Sequence, residues 1–275
     1  MSQAARNVIE NGARAITAHF GGKLPATVLV LGSGIGRFAE RLENAKSLSY
    51  ADIPGFAPST VAGHAGKLIV GQVAGKPLAI MAGRIHVYEG HPPQAIATLV
   101  RILKAAGVER LILTNASGGL SPDLVAGTLM IVEDHINFGG VNPLIGPNDE
   151  SIGPRFPDMT DAYDPGLRAL LAQAAEEAGV PVRRGVYLYC TGPNFETPSE
   201  VRLFGKWGAD VVGMSTVPEC LAARHCGMQV AAVSLVTNLA AGLSANLLTH
   251  EETLMEAQKA YGAMEKLLLR FFALA

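Results

Sequence analysis

The sequence predicts a single α/β domain over residues 1–275, a central mixed β-sheet flanked by helices. Three observations carry this. Short apolar runs alternate along the chain with segments of helical periodicity, the pattern of a mostly parallel or mixed sheet covered by helices. Hydrophobic residues make up 49% of the chain and charged residues only 17%, enough apolar material for a sizeable core. No repeat, low-complexity tract or linker interrupts the 275 residues.

The first element is an amphipathic helix within Met1–Phe20, with Ala5, Val8, Ile9, Ala13, Ile16 and Phe20 at helical spacing. It lacks the apolar core and processing site of a secretory leader. Strands are expected at 27–31, 68–73, 78–81, 111–114, 129–132, 185–189, 211–213 and 230–236. Helices are expected at 93–106, 165–178, 198–207, 218–226 and 251–272. Several open on proline, which suits a first turn whose N–H has no intrahelical partner. The final helix carries Leu254, Ala257, Tyr261, Met264, Leu268 and Phe271 on one face. Phe138–Tyr163 is a long aperiodic stretch rich in Pro, Gly, Asn and Asp. Such a loop in a compact domain is functional or packs on a neighbour.

Bulk properties exclude several functions. A net charge of −2 offers no broad attraction to nucleic acid or an anionic membrane. The longest apolar stretch, Val230–Leu243, is too short to span a bilayer and contains Ser234, Thr237 and Asn238. Cys190, Cys220 and Cys226 form neither a disulfide framework nor a zinc motif. Reduced thiols in the cytoplasm are expected. No metal-ligand cluster or nucleophile elbow is present, so no metal, no cofactor and no covalent intermediate are expected.

Polar groups concentrate where expected strands end, the place open α/β sheets hold ligands. Gly32-Ser33-Gly34-Ile35-Gly36 is either a tight turn or an anion cradle. It lacks the third glycine of a dinucleotide fingerprint, and a helix is expected to follow it. Arg84 and His86 share one side if the segment is extended, a compact anion clamp, and Tyr88 continues the row toward a sugar. Thr114–Gly119 is either a turn capped by Asn115 or a backbone ligand site. His64, within Gly63–Gly66, is expected to be phosphate-proximal or structural. Phe195 and Glu196 offer a ring beside a carboxylate; Met214 and Ser215 offer a thioether beside a hydroxyl. Asn238 can donate and accept toward a heterocycle or simply satisfy a turn. His250 opens the last helix, where Thr249 can cap it and leave the histidine exposed.

Seven segments in order carry a resemblance: GSGIG (32–36), GHAG (63–66), GRIHVYEG (83–90), TNASGG (114–119), GPNFET (192–197), GADVVGMSTVPE (208–219) and VTN (236–238). Together they resemble the trimeric purine nucleoside phosphorylase family, homotrimers that favour 6-oxopurine nucleosides. The resemblance implies phosphate held by Ser33, His64, Arg84, His86, Ser215 and the backbone N–H of Ala116. It implies ribose contacts from Tyr88, Met214 and His250, with Phe156 lent by a neighbouring subunit. The base would meet Phe195, Glu196, Val212, Thr237 and Asn238. Asn238, Glu196, His86 and His250 would carry the catalytic work, with orthophosphate as co-substrate. The implied reaction is reversible phosphorolysis of (deoxy)inosine and (deoxy)guanosine in purine salvage. Xanthosine-accepting and methylthioadenosine phosphorylases are the near alternatives. A dinucleotide-binding oxidoreductase and a non-catalytic nucleoside-binding module are the distant ones.

Overall fold

The computed structural model describes residues 1–61, 64–243 and 249–275; of His250 it describes the backbone. The expected alternation is present. Helix α1 (Gln3–Phe20) is capped by Ser2, whose Oγ accepts the Ala5 N–H. It buries Ile9, Ala13 and Ile16, three members of the expected stripe. The chain then forms β1 (Thr27–Val30), β2 (Glu43–Ser49), β3 (Lys67–Val73) and β4 (Lys76–Ala82). It continues through α2 (Pro93–Ala105), β5 (Arg110–Gly119), β6 (Leu129–Asn137), α3 (Pro165–Glu177) and β7 (Val182–Tyr189). The last elements are α4 (Pro198–Lys206), β8 (Val211–Gly213), α5 (Val217–His225), β9 (Gln229–Leu239) and α6 (His250–Leu274).

Among the described residues the strands form one nine-stranded mixed sheet in the order β2-β3-β4-β1-β5-β8-β7-β6-β9. β9 also pairs in parallel with β5, so β5, β8, β7, β6 and β9 close on themselves while the β1–β4 side stays open. β5 is the hinge of this arrangement, bonded to β1, β8 and β9.

Helices cover both faces. α1, α2 and α5 contribute Ile16, Leu99, Ile102 and Ala222 to one core; α3 and α6 contribute Leu171, Met264, Leu268 and Phe271 to the other. A smaller cluster, including Leu188, Val201, Phe204 and Val212, packs beneath α4. Phe138–Tyr163 forms neither helix nor strand, as its composition predicts.

Three expectations need correction. β2 carries no apolar run because it is an exposed edge: only Leu48 is buried, and a bulge interrupts its pairing with β3. β5 runs on through Thr114–Gly119, where a capped turn was one reading; pairing to β9 along its length keeps these small polar residues extended. A six-residue 3-10 helix, Gly36–Arg41, follows the glycine loop, and its short tight turns offer little aligned dipole to an anion.

Candidate active site

The functional residues surround a cavity of about 470 Å³ at the ends of β1, β4, β5, β8 and β9. That volume suits a small organic ligand. Of the expected site residues, Ser33, Arg84, His86, Tyr88, Ala116, Phe195, Glu196, Val212, Met214, Ser215, Thr237 and Asn238 all line it.

One set of lining residues has the chemistry to hold an anion. Gly32 lets the loop bearing Ser33 press on β5: a Cβ there would sit 2.6 Å from the Thr114 carbonyl oxygen. The Gly32 N–H donates to Thr114 Oγ1 at 3.1 Å, fastening the loop to that strand. Gly34 has φ +78°, and a Cβ would meet the Ala257 Cβ of α6 at 2.2 Å, so only glycine fits the turn.

Arg84 is 2% exposed, and its guanidinium is held on several sides. Nη1 donates to Ser215 Oγ at 2.8 Å and Thr216 Oγ1 at 3.3 Å; Nη2 donates to the Thr114 carbonyl at 2.7 Å. Nε lies 3.3 Å from the buried carboxylate of Glu219, in the first turn of α5. A guanidinium fixed in this way presents its charge and its one remaining Nη2 N–H in a set direction, which suits an anion.

His86 is oriented by Glu89. The carboxylate Oε1 accepts the His86 backbone N–H at 2.6 Å and lies 3.0 Å from ring Nδ1. Oε2 accepts from the Thr60 N–H and hydroxyl at 2.6 and 2.8 Å. Burial alone would raise the Glu89 carboxyl; the bonds from His86 and Thr60 outweigh it and hold it down at about 2. Nδ1 is thereby engaged, and Nε2 has no protein partner among the described residues.

Tyr88 reaches the cavity from a 3-10 turn, Val87–Glu89, which corrects the expectation of a continuous extended row. Its ring stacks on His86 with centroids 4.7 Å apart. Burial pushes its hydroxyl up to about 12, so it acts as a neutral donor.

His64 stands one layer back. Its ring stacks on His86 at 5.5 Å, and Nδ1 lies 2.9 Å from the Arg84 carbonyl oxygen. It is not among the residues lining the cavity. Burial, helped by repulsion from His86, lowers its pKa to about 4 and keeps the ring neutral near pH 7. Gly63 of the same motif lies outside the described residues.

A second set of lining residues includes Phe195, Glu196, Val212, Thr237 and Asn238. Phe195 and Glu196 sit just before α4, whose start is set by a reciprocal capping box. Thr197 Oγ1 accepts the Glu200 N–H, and Glu200 accepts the Thr197 N–H at 2.7 Å. Burial raises the Glu196 carboxyl above its ordinary value, with nearby Glu200 adding to the effect. Val212 of β8 also lines the cavity.

Thr237 and Asn238 are sequence neighbours, and alternation along a strand would send them to opposite faces. A bulge prevents this. Ser117 pairs with Val236 and Gly118 with Asn238, so Thr237 is the extra residue on β9 and both side chains reach the cavity. Thr237 Oγ1 donates to Asn238 Oδ1 at 3.0 Å, and Asn238 Nδ2 donates to the Leu239 carbonyl at 3.1 Å. The amide therefore has a set orientation.

One expected residue lies away from this frame, and the side chain of another is outside the described residues. Phe156 is 87% exposed on the long loop, with the Arg155 guanidinium 5.8 Å from its ring centroid. The His250 side chain lies outside the described residues; Thr249 caps its helix by accepting the Glu252 N–H at 3.1 Å.

Several contributors escaped the sequence reading: Glu89, Thr60, Thr216, Glu219 and the cavity-lining Thr253. Only Glu89 left a local signal, a carboxylate three residues after His86 in a capping-box spacing. Cys190, near Glu196, has its thiol pushed up to about 12 by burial, leaving no thiolate there near pH 7.

A family profile described as the phosphorylase superfamily matches residues 26–273. The chain is 48% identical over 254 residues to purine nucleoside phosphorylase 1 of Geobacillus stearothermophilus, covering 92% of each. It is 43% identical over 249 residues to the Bos taurus purine nucleoside phosphorylase, covering 88% of this chain and 86% of that one. A crystal structure of a Schistosoma purine nucleoside phosphorylase in complex with hypoxanthine superposes with a TM-score of 0.90 at 38% identity, over 98% of this chain and 96% of that one. With the likeness spanning nearly the whole chain in both sequence and fold, the chain belongs to the phosphorylase superfamily and, within it, to the purine nucleoside phosphorylases.

Proposed function

We propose that the cavity catalyses reversible, phosphate-dependent cleavage of the N-glycosidic bond of (deoxy)inosine and (deoxy)guanosine, releasing the purine and (deoxy)ribose 1-phosphate. The observation that carries this reading is one cavity with two unlike ends. Arg84, His86, Ser33 and Ser215 line an oxyanion end, while Phe195, Glu196 and Asn238 line an end fit for a flat heterocycle.

Orthophosphate is the nucleophile in this reading, so no protein nucleophile is required. Phosphate held against C1′ gains from proximity, and its charge stabilises the oxocarbenium character developing on the ribose. The purine leaves with growing negative charge. Asn238, its amide oriented by Thr237 and Leu239, offers its remaining Nδ2 N–H to O6 beside N7 as that charge appears. Glu196 accepts N1–H, Phe195 and Val212 flank the ring, and Met214 and Tyr88 bound the ribose. Ser33, His86, Ser215 and the Ala116 N–H hold phosphate beside Arg84, with His64 stacked behind His86. His250 orients the 5′-hydroxyl. Phe156 completes the ribose site of a neighbouring subunit in a homotrimer, a role its exposure supports. We assign the enzyme to purine salvage in the cytoplasm, a reading supported by the free thiols of Cys190, Cys220 and Cys226.

Incubation with inosine in phosphate buffer and in phosphate-free buffer tests the proposal. Hypoxanthine release that requires phosphate is expected; equal release without phosphate would indicate a hydrolase and overturn it. A panel of inosine, guanosine, xanthosine and adenosine then ranks the base.

A further inference from the structure

Behind the oxyanion end lies a residue in an unfavourable conformation. Thr216 is fully buried and has φ +74° and ψ −51°, and the Val217 N–H donates to the Ser215 carbonyl at 2.8 Å across it. This is a three-residue γ-turn of the rarer, strained hand, and threonine is β-branched, which makes positive φ costly. Such a conformation persists only where its surroundings over-determine it. Glycine would take the turn without strain. What threonine adds is a hydroxyl, and that hydroxyl is the centre of a buried chain of hydrogen bonds.

The chain has a direction. Ser234 Oγ donates to Asn115 Oδ1 at 2.6 Å, which turns Asn115 Nδ2 toward Thr216. Nδ2 donates to Thr216 Oγ1 at 2.8 Å, and Arg84 Nη1 donates to the same oxygen at 3.3 Å. A hydroxyl has two lone pairs and one proton. With both lone pairs of Thr216 engaged, its proton goes to Ser215 Oγ, 3.2 Å away. Ser215 Oγ then accepts from Thr216 and from Arg84 Nη1 at 2.8 Å, so both its lone pairs are filled as well. The proton of Ser215 is left as a donor to an occupant of the cavity it lines, with the buried Tyr187 hydroxyl as its alternative acceptor while the cavity is empty.

We propose that Thr216 is a positioning residue for phosphate: through the relay Ser234–Asn115–Thr216–Ser215 it presents the Ser215 hydroxyl as a donor to the oxyanion and steadies Arg84 beside it. The assignment rests on the phosphorolysis reading for the identity of the anion. The relay itself stands on the hydrogen-bond directions. The relay ends on Ser215 beside the Arg84 guanidinium, so it acts on phosphate, and donors aligned in advance lose nothing to reorientation on binding.

The test uses the full-length protein and inorganic phosphate. Thr216→Val keeps the β-branched shape and removes the hydroxyl; Thr216→Ser keeps the hydroxyl; Ser234→Ala removes the far end of the relay at a residue that does not itself line the cavity, and with it the 2.8 Å bond to Ser117 Oγ. Orthophosphate binding is measured by titration calorimetry. KM for phosphate and for inosine are measured separately. Loss of a hydrogen bond to a charged ligand corresponds to about tenfold weaker phosphate binding and a matching rise in phosphate KM in Thr216→Val. Inosine KM should stay unchanged, and Thr216→Ser should restore wild-type behaviour. Ser234→Ala should weaken phosphate binding by about two- to fourfold, a fraction of one hydrogen bond. Unchanged phosphate binding in either Thr216→Val or Ser234→Ala overturns the relay, as does a parallel loss for both substrates. If Thr216→Val fails to fold, Ser234→Ala decides the question. Wild-type protein that binds orthophosphate but leaves inosine intact would remove the phosphorolysis reading alone.

Discussion

The Glu89 carboxylate grips His86 twice through one oxygen, at the backbone N–H (2.6 Å) and near ring Nδ1 (3.0 Å). Its other oxygen takes the Thr60 N–H and hydroxyl. One side chain thus sets the ring of the oxyanion site and ties down the segment that borders it.

Glu89→Gln keeps the size and loses the charge. We expect phosphate KM to rise by about tenfold, the effect of weakening a charge-assisted hydrogen bond. Stability gives a second readout. The folded carboxyl titrates at about 2 instead of its ordinary 4.5, so its stabilising contribution is fully present above pH 4.5 and is lost as pH falls toward 2. The melting-temperature gap between wild type and Glu89→Gln should therefore be constant from pH 5 to 7 and close on acidification. A gap that widens on acidification would contradict this assignment.

Asn238 is expected to set the preference at the purine 6-position. Asn238→Asp replaces an N–H donor by a carboxylate that only accepts, which repels a 6-oxo group and suits a 6-amino group. Inosine kcat/KM should fall by about 100-fold or more, as for a site left with an unpaired polar group, while adenosine is spared. Equal losses on both nucleosides would show that Asn238 does not read this position.

Arg84 is the least replaceable residue of the oxyanion end. Arg84→Lys loses the fork that spans Ser215, Thr216 and Thr114, and phosphate KM should rise by about 100-fold, two charge-assisted bonds' worth. Arg84→Met additionally leaves Glu219 buried without its partner and should destabilise the protein by about 3–5 kcal/mol, measured by denaturant unfolding.

Phe156 makes the opposite prediction for stability. At 87% exposure its removal empties no core, so Phe156→Ala should melt like wild type while nucleoside KM rises by about tenfold, a buried aromatic contact's worth. Mixed assemblies of Phe156→Ala and Arg84→Lys subunits should recover activity, because the first keeps an intact phosphate end and the second still lends Phe156. Absence of recovery in verified mixed assemblies would remove the shared-site assignment.

Much of the site was legible because its chemistry is carried by residue types at strand ends. Arg84, Ser215, Glu196 and Asn238 stand out as polar groups directly after apolar runs. What stayed hidden has common physical causes. β2 is an exposed edge without an apolar pattern. Thr114–Gly119 resembles a turn in isolation and is held extended by strand pairing on β9. Thr216 and Glu219 are unremarkable residues whose roles come from partners more than 100 positions away, as with Arg84 and Thr216.

The sequence by itself determined the α/β alternation, the stripes that bury α1 and α6, and the identity of the groups able to bind an anion and a heterocycle, since local periodicity and side-chain chemistry are properties of short segments. The tertiary structure alone decided that β5 and β9 pair and close part of the sheet, and that a bulge at Thr237 turns Asn238 into the cavity. It alone decided that Arg84 is locked between Glu219, Thr216 and Thr114. Each of these depends on backbone register or on contacts between distant segments, and no local pattern encodes either.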